Sequence, residues 1–263
     1  MSLLPERLLT SRIIDKDHPI AHTTIIRADN ALEYIERVKA DRSILTNVAP
    51  PFERLFVQFH VEDEIDMGIF VQSERVHDVD AGIEWKMEAT LWTVPNVHNA
   101  ADKKPLIWWH LDVSPIGKVV HVDWTRNEAF PPFREGEEYG FKTWICAALF
   151  SINLMNCKNV IVEEQPQTKR EKRMAAHDAA KGKLTFRYHL LKVRKANKIY
   201  DLEHSSSDRG EYATHICRGH FKTFTDEAPL LGKHVGTYWW DSHVRGRDND
   251  HVVDKDYEVV SDR

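Results

Sequence analysis

Residues 54–63, RLFVQFHVED, and 66–76, DMGIFVQSERV, alternate between apolar and polar positions and are rich in β-branched and aromatic side chains. A period of two predicts strands, because successive side chains of an extended chain point to opposite faces. Three further segments repeat the pattern: GIEWKMEATLWTV at 82–94, PLIWWHLDV at 105–113 and KVVHVDW at 118–124. The last two are joined by Ser114-Pro115-Ile116-Gly117, whose proline and glycine suit a tight reversal between antiparallel strands. DNALEYIERVKADR at 29–42 instead spaces Leu32, Ile35 and Val38 along one side, behind Asp29 or Asn30 as a cap, and predicts a helix.

Pro131-Pro132 breaks the pattern. EGEEYGFKTWICAALFSINLMNC at 135–157 then predicts a helix with acidic residues in its first turn, where the macrodipole favours them. Its second half is apolar nearly all round, which predicts burial on more than one side. KNVIVEE at 158–164 reads as a strand, TKREKRMAAHDAAKG at 168–182 as an exposed basic helix stopped by Gly182, and LTFRYHLLKV at 184–193 as a strand. Strands are expected around 213–223 and 235–245, separated by a loop through 226–233, with KDYEVV at 255–260 as a closing strand. The fold class is therefore α+β: a mainly antiparallel sheet with a buried central helix and an exposed basic helix. The break suggests an acidic β-rich region at 1–130 and a basic α+β region at 131–263, or one continuous domain.

Charge sharpens that division. Residues 1–140 hold 15 Lys and Arg against 24 Asp and Glu, whereas 141–263 hold 21 against 17. Within the second half, 165–200 carries 11 basic residues and two acidic ones, Glu171 and Asp178. A polyanion would therefore meet the second half, at Lys169, Arg170, Lys172 and Arg173, unless that helix face is merely solvated. The longest apolar run, 144–155, is too short to span a bilayer, and the N-terminus has no apolar signal core. Cys146, Cys157 and Cys217 cannot build a disulfide framework and fit a reducing cytosol.

The stretch THICRGHFKTFTDEAPLLGKHVGTYWWDSHVRG, 214–246, gathers four histidines with arginines, lysines and adjacent tryptophans. His215, Cys217, His220 and His243 resemble a zinc ligand set, but on a regular strand His215 and Cys217 share a face that His220 does not. No metal or other cofactor is expected. Acid–base chemistry is a second reading: one histidine takes a proton, another returns it, and a cation steadies the charged intermediate. Alternation puts Arg218, His220 and Lys222 on one face and Lys233, His243 and Arg245 on another, with His215 and His234 as lesser candidates. The candidate catalytic set is thus His220, His243, Arg218 and Arg245. Binding alone is the third reading: Lys233 with Tyr238, Trp239 and Trp240, and Lys222 between Phe221 and Phe224, suit base stacking with phosphate contacts, with Trp239 edging the pocket; the competing reading is that Tyr238 and Trp240 share a face and belong to the core. A histidine in such a cluster is more often a hydrogen-bonded structural residue.

No phosphate-binding glycine loop, nucleophile elbow or EF-hand is present, and EDEID at 62–66 reads as a solvated turn. NCKNVIVEE, GKLTFRYHLLKV and CRGHFKTFTDEAPLLGKHVGTYWWDSHVRG, spread over about 140–260, resemble a recurring set of uncharacterised bacteriophage and prophage proteins. Their shared pattern runs RGHF, P-L-F/L-G-K, G-T-Y-W-W, H-x-R-G. The resemblance implies a phage origin and action in a bacterial host's cytoplasm, and it carries no activity or catalytic residue with it. The leading expectation is a protein that binds nucleic acid or a nucleotide through its second half, with metal-independent phosphodiester chemistry left open. The alternative is a non-enzymatic interaction protein that blocks a host enzyme or defence complex through its acidic front half.

Overall fold

The computed structural model describes residues 3–28, 42–61, 65–93, 104–128, 137–165, 167–181, 183–184, 186, 188–193, 215–217, 219–240 and 243–245. Among these, twelve strands and three α-helices form an α+β fold around one eight-stranded mixed sheet. The strands are β1 (Thr24–Arg27), β2 (Arg54–Val61), β3 (Ile65–Asp78), β4 (Ile83–Thr93), β5 (Ile107–Val113), β6 (Val119–Arg126), β7 (Val160–Glu164) and β8 (Tyr188–Val193). They lie in the order β6-β5-β4-β3-β2-β1-β8-β7. The helices are α1 (Leu4–Thr10), α2 (Glu137–Met155) and α3 (Lys169–Ala180).

Strands β2 to β6 form an antiparallel meander in which each strand pairs with its sequence neighbours. The Ser114-to-Gly117 reversal closes with Gly117 N–H donating to Ser114 O at 2.9 Å. The sheet is mixed rather than wholly antiparallel because β1 runs parallel to both β2 and β8. A four-residue strand, TIIR, is too short to display a period, which is why alternation does not announce it.

Alternation gives the sheet two buried faces. On one, Val57, Phe59, Ile69, Val71, Met87, Ala89, Leu91, Trp109 and Leu111 meet Ala147, Ala148, Leu149, Phe150, Ile152 and Leu154 of α2 in a single cluster. On the other, Phe56, Phe70 and Trp92 are covered by Leu4 and Leu8 of α1 with Ile14 and Ile20. Gly68 belongs to this second face because a β-carbon there would fall 2.1 Å from the Phe56 ring. Each fully buried side chain of this size contributes about 1.5–3 kcal/mol. The larger cluster includes Leu191 and Trp239 beside the front-half strands, so the two oppositely charged halves share one core.

Asparagines at the C-terminal end of α2 and just beyond it organise the loop ahead of β2. Asn156 Nδ2 donates to Asn47 O at 2.7 Å and Ala49 O at 2.8 Å, while Asn153 Nδ2 donates to Thr46 O. From the other side Val48 N–H donates to Gly117 O at 2.8 Å, clamping the loop between α2 and the β5–β6 turn. The helix expected at 29–42 lies almost wholly outside the described residues, and so do Glu62, Asp63 and Glu64 and the expected closing strand at 255–260. Arg42 itself opens a short 3-10 turn, Arg42–Leu45.

Candidate nucleic-acid interface

The expected pair of C-terminal strands forms a hairpin in two ladders. Strands β10 (His220–Phe224) and β11 (Gly236–Trp240) pair antiparallel, with His220 opposite Trp240, Phe221 opposite Trp239 and Lys222 opposite Tyr238. Beyond them β9 (His215–Cys217) and β12 (His243–Arg245) set His243 opposite Cys217 and Arg245 opposite His215.

The inner face of β10–β11 is fixed by packing against α2. Trp239 is 4% exposed. Its ring meets Phe150 edge-on at 5.4 Å and tilts against Phe221 at 4.7 Å, while Phe150 also meets Phe221 at 5.6 Å. The Asn159 side chain grips the Trp239 backbone as a neighbouring strand would. Its Nδ2 donates to Trp239 O at 2.8 Å, and its Oδ1 accepts from Trp239 N–H at 3.0 Å. One position earlier Lys158 N–H donates to Thr237 O at 2.9 Å. Gly236, at φ +125°, lets the Lys158 stem pass close, since a β-carbon there would sit 3.0 Å from Lys158 Cε.

These contacts reverse one sequence-based expectation. Trp239 belongs to the core and not to a binding edge, whereas Tyr238 and Trp240 lie half-buried on the outward face. Alternation separates the two faces but cannot say which turns inward. Phe150 and Asn159 make that choice.

The outward face is a ladder of rings around a cation. His220 stacks over Trp240 with centroids 6.5 Å apart and planes 22° from parallel. Exposed Lys222 holds its ammonium 5.4 Å from the Trp240 centroid and 4.9 Å from that of Phe224. Phe224 in turn meets Tyr238 edge-on at 5.9 Å. Flat rings beside cations attract aromatic partners carrying negative charge: the rings offer stacking surfaces and the ammonium attracts phosphate.

Lys233 and His234 are exposed in the connection between β10 and β11, in a tight turn closed by mutual backbone bonds between Leu230 and His234 at 2.8 and 3.0 Å. Lys233 is therefore outside the outward ladder of β10–β11. His220 faces Trp240, and His243 faces Cys217, so neither histidine stands opposite the other or opposite the other's arginine. Arg218 lies outside the described residues, as do the side chains of His215, Cys217, His243 and Arg245. Among the described residues no three His, Cys, Asp or Glu side chains gather as a metal-binding group.

A second basic feature lies at the other end of β7. Asn159 precedes β7 and holds the hairpin, and β7, about 16 Å long at ~3.3 Å per residue, then leads through 165–168 into α3. Helix α3 buries no side chain. Its N-terminus is closed by a capping box in which Thr168 Oγ1 accepts from Glu171 N–H and Glu171 accepts from Thr168 N–H at 2.7 Å. The Thr168 backbone and hydroxyl bonds hold the Glu171 carboxyl below its ordinary pKa, keeping it charged where the macrodipole favours it. At about 100° per residue, Lys169, Arg170, Lys172 and Arg173 fall within an arc of about 160°, with Glu171 on the opposite side. All four are exposed, and among the described residues none has an acidic partner. Glu163 and Glu164 on β7, between the two features in sequence, are exposed.

Sequence reasoning named Phe224, Tyr238 and Trp240 as stacking rings but did not set the three together around Lys222, and it passed over Asn159. The signal for the first three was present in their shared parity with Lys222 once Phe221 and Trp239 are taken as the inner pair. Asn159 has no motif; only its position before β7 gives it a role.

Comparison with protein-family profiles, with curated proteins and with solved structures finds no match for this chain. No helix among the described residues is long and apolar enough to cross a membrane.

Proposed function

We propose that the protein binds single-stranded nucleic acid through its second half, and that it does so in the bacterial cytoplasm, the setting its phage-like sequence pattern suggests. The observation that carries this reading is the outward face of β10–β11, where Phe224, Tyr238 and Trp240 surround exposed Lys222. Unpaired bases stack on these rings, and stacking on one ring contributes about 1–3 kcal/mol per base. Lys222 meets the phosphates, and the cations of α3 extend the contact by releasing bound counterions. A duplex hides its base faces and would use only the cations, so the arrangement favours single strands.

The reading is one of binding. Phosphodiester cleavage by His220 and His243 forms no part of it, since the observations that carry the reading are stacking rings and cations; in the backbone register His220 lies opposite Trp240 and His243 opposite Cys217. Filter binding with single-stranded RNA, single-stranded DNA and duplex DNA tests the proposal. Saturable binding of a single strand, weakened about tenfold or more by Trp240→Ala, supports it. Equal retention of all three by Trp240→Ala and wild type would refute it.

A second reading has its own observation. The solvent-facing side of the β3–β4–β5–β6 region carries Glu74, Glu88, Asp112 and Asp123 with Lys86, His110 and His121 in cross-strand register, around a shallow cavity of about 420 Å³. This mostly acidic surface suits a basic protein partner, as an inhibitor of a nucleic-acid-handling host protein would require. Under that reading, reversing Glu74 and Glu88 to lysine abolishes host-protein capture and leaves oligonucleotide binding intact.

A further inference from the structure

Strand β6 ends the eight-stranded sheet, and among the described residues no strand pairs with its outer side. Such an edge offers unpaired backbone groups and is normally blunted by charge, by proline or by cover. Here Val120 and Val122 are 51% and 43% exposed on one face of this edge. His121 and Asp123 are exposed on the other.

The backbone direction along the edge is set by two bonds. Asn127 N–H donates inward to Leu106 O at 3.0 Å, so alternate residues Thr125, Asp123 and His121 also turn toward β5. Val122 and Trp124 then present their backbone groups outward. Consistent with this, Trp124 N–H donates to the Asp123 carboxylate of its own chain at 2.7 Å.

We infer that β6 is a self-pairing edge: a second copy of this chain adds its own β6 antiparallel about a twofold axis at Val122, joining two sheets into one. The register follows from complementarity. Centring the axis on Val122 sets Val122 against Val122 and Val120 against Trp124 on one face. On the other face it sets His121 against Asp123, twice. Shifting the pairing by one hydrogen-bonded step either way puts Asp123 opposite Asp123 or His121 opposite His121, and like groups directly opposed are unfavourable. In the favoured register Trp124 N–H transfers from Asp123 to the partner's backbone, and Asp123 is released to meet His121. Lys118 and Arg126, the one like-charged pair, fall at the end of the ladder, where long side chains splay apart. A single strand pair makes a small interface, so the association is expected to be concentration-dependent.

Sedimentation equilibrium over a concentration series tests this with five proteins. Wild type is expected to show a monomer–dimer equilibrium, and Val122→Lys to stay monomeric. His121→Asp and Asp123→His, each of which opposes like groups twice per dimer, are expected to weaken association about tenfold or more. The double exchange H121D/D123H restores the opposition of unlike groups and is expected to recover association to within a few-fold of wild type. All substituted side chains are exposed, and circular dichroism checks that each variant is folded. A wild type that stays monomeric throughout, a Val122→Lys variant that still dimerises, or a double exchange no better than either single change would each overturn the inference. The first of these would assign the edge to another protein's strand and the second would move the interface elsewhere.

Discussion

Replacing Asn159 with alanine isolates the link that joins the hairpin to the core. The side chain makes two hydrogen bonds, at 2.8 and 3.0 Å, to the backbone of Trp239, whose ring is itself buried. A typical intramolecular hydrogen bond contributes about 1 kcal/mol net, and leaving a partly buried backbone group unpaired adds to the loss. Two bonds and two orphaned groups therefore cost about 2–3 kcal/mol. For a chain of this size that corresponds to a fall in Tm of roughly 5–10 °C. Urea denaturation followed by far-UV circular dichroism should show a lowered midpoint with an unchanged slope. Hydrogen exchange at the Trp239 amide should accelerate more than at α2 amides, since the opening is local. Asn159→Asp should be worse than alanine, because it keeps the acceptor but sets a carboxylate against the Trp239 carbonyl. A change below about 0.5 kcal/mol with unaltered exchange would refute the clamp.

Three further outcomes follow from the same geometry. Trp239→Ala should cost about 3–5 kcal/mol of stability, whereas Trp240→Ala should cost under about 1 kcal/mol and act on oligonucleotide affinity instead; equal destabilisation would contradict the assignment of faces. Glu84, buried at the β3–β4 end, accepts from His77 Nδ1 at 2.7 Å and from Arg75 Nε, and these bonds hold its carboxyl below the ordinary pKa. A depressed carboxylate pKa adds stability above the unfolded value and loses it as the pH falls through the folded one. Wild type should therefore exceed Glu84→Gln in Tm at pH 7, and the gap should close as the pH falls below the ordinary carboxylate pKa; a gap constant down to pH 2 would contradict the coupling. Replacing Lys169, Arg170, Lys172 and Arg173 together with Gln should reduce the slope of log affinity against log salt for a single strand by up to about 3, at ~0.7 per phosphate contact; an unchanged slope would return α3 to a solvated face.

The meander was legible because each of its strands alternates over seven or more residues and is punctuated by turn residues at Gly82 or at Pro115 and Gly117. What could not be read was pairing across long separations. Strand β1 carries only four residues, and its parallel neighbours come from positions 54 onward and 188 onward. The same limit governs the candidate site. The parity of His220, Lys222, Tyr238 and Trp240 is a local property and readable. Which parity faces inward depends on Phe150 and Asn159, 60 to 90 residues away in sequence. For the two histidines, alternation gives only the strand face of each, whereas their partners depend on the register across the turn at 225–235, in which His220 lies opposite Trp240 and His243 opposite Cys217. Helix α3 was easier, since Thr168 and Glu171 form a capping box that is visible in sequence.

The most direct test is fluorescence anisotropy of a labelled single-stranded oligonucleotide titrated with wild type and with Tyr238→Ala/Trp240→Ala, alongside the matching duplex. The account predicts that wild type binds the single strand more tightly than the duplex. It also predicts that the double variant, still folded, loses that preference while keeping the weak, salt-sensitive duplex binding of the α3 cations. A wild type that binds neither strand form, or a double variant that keeps the full single-strand preference, would contradict it.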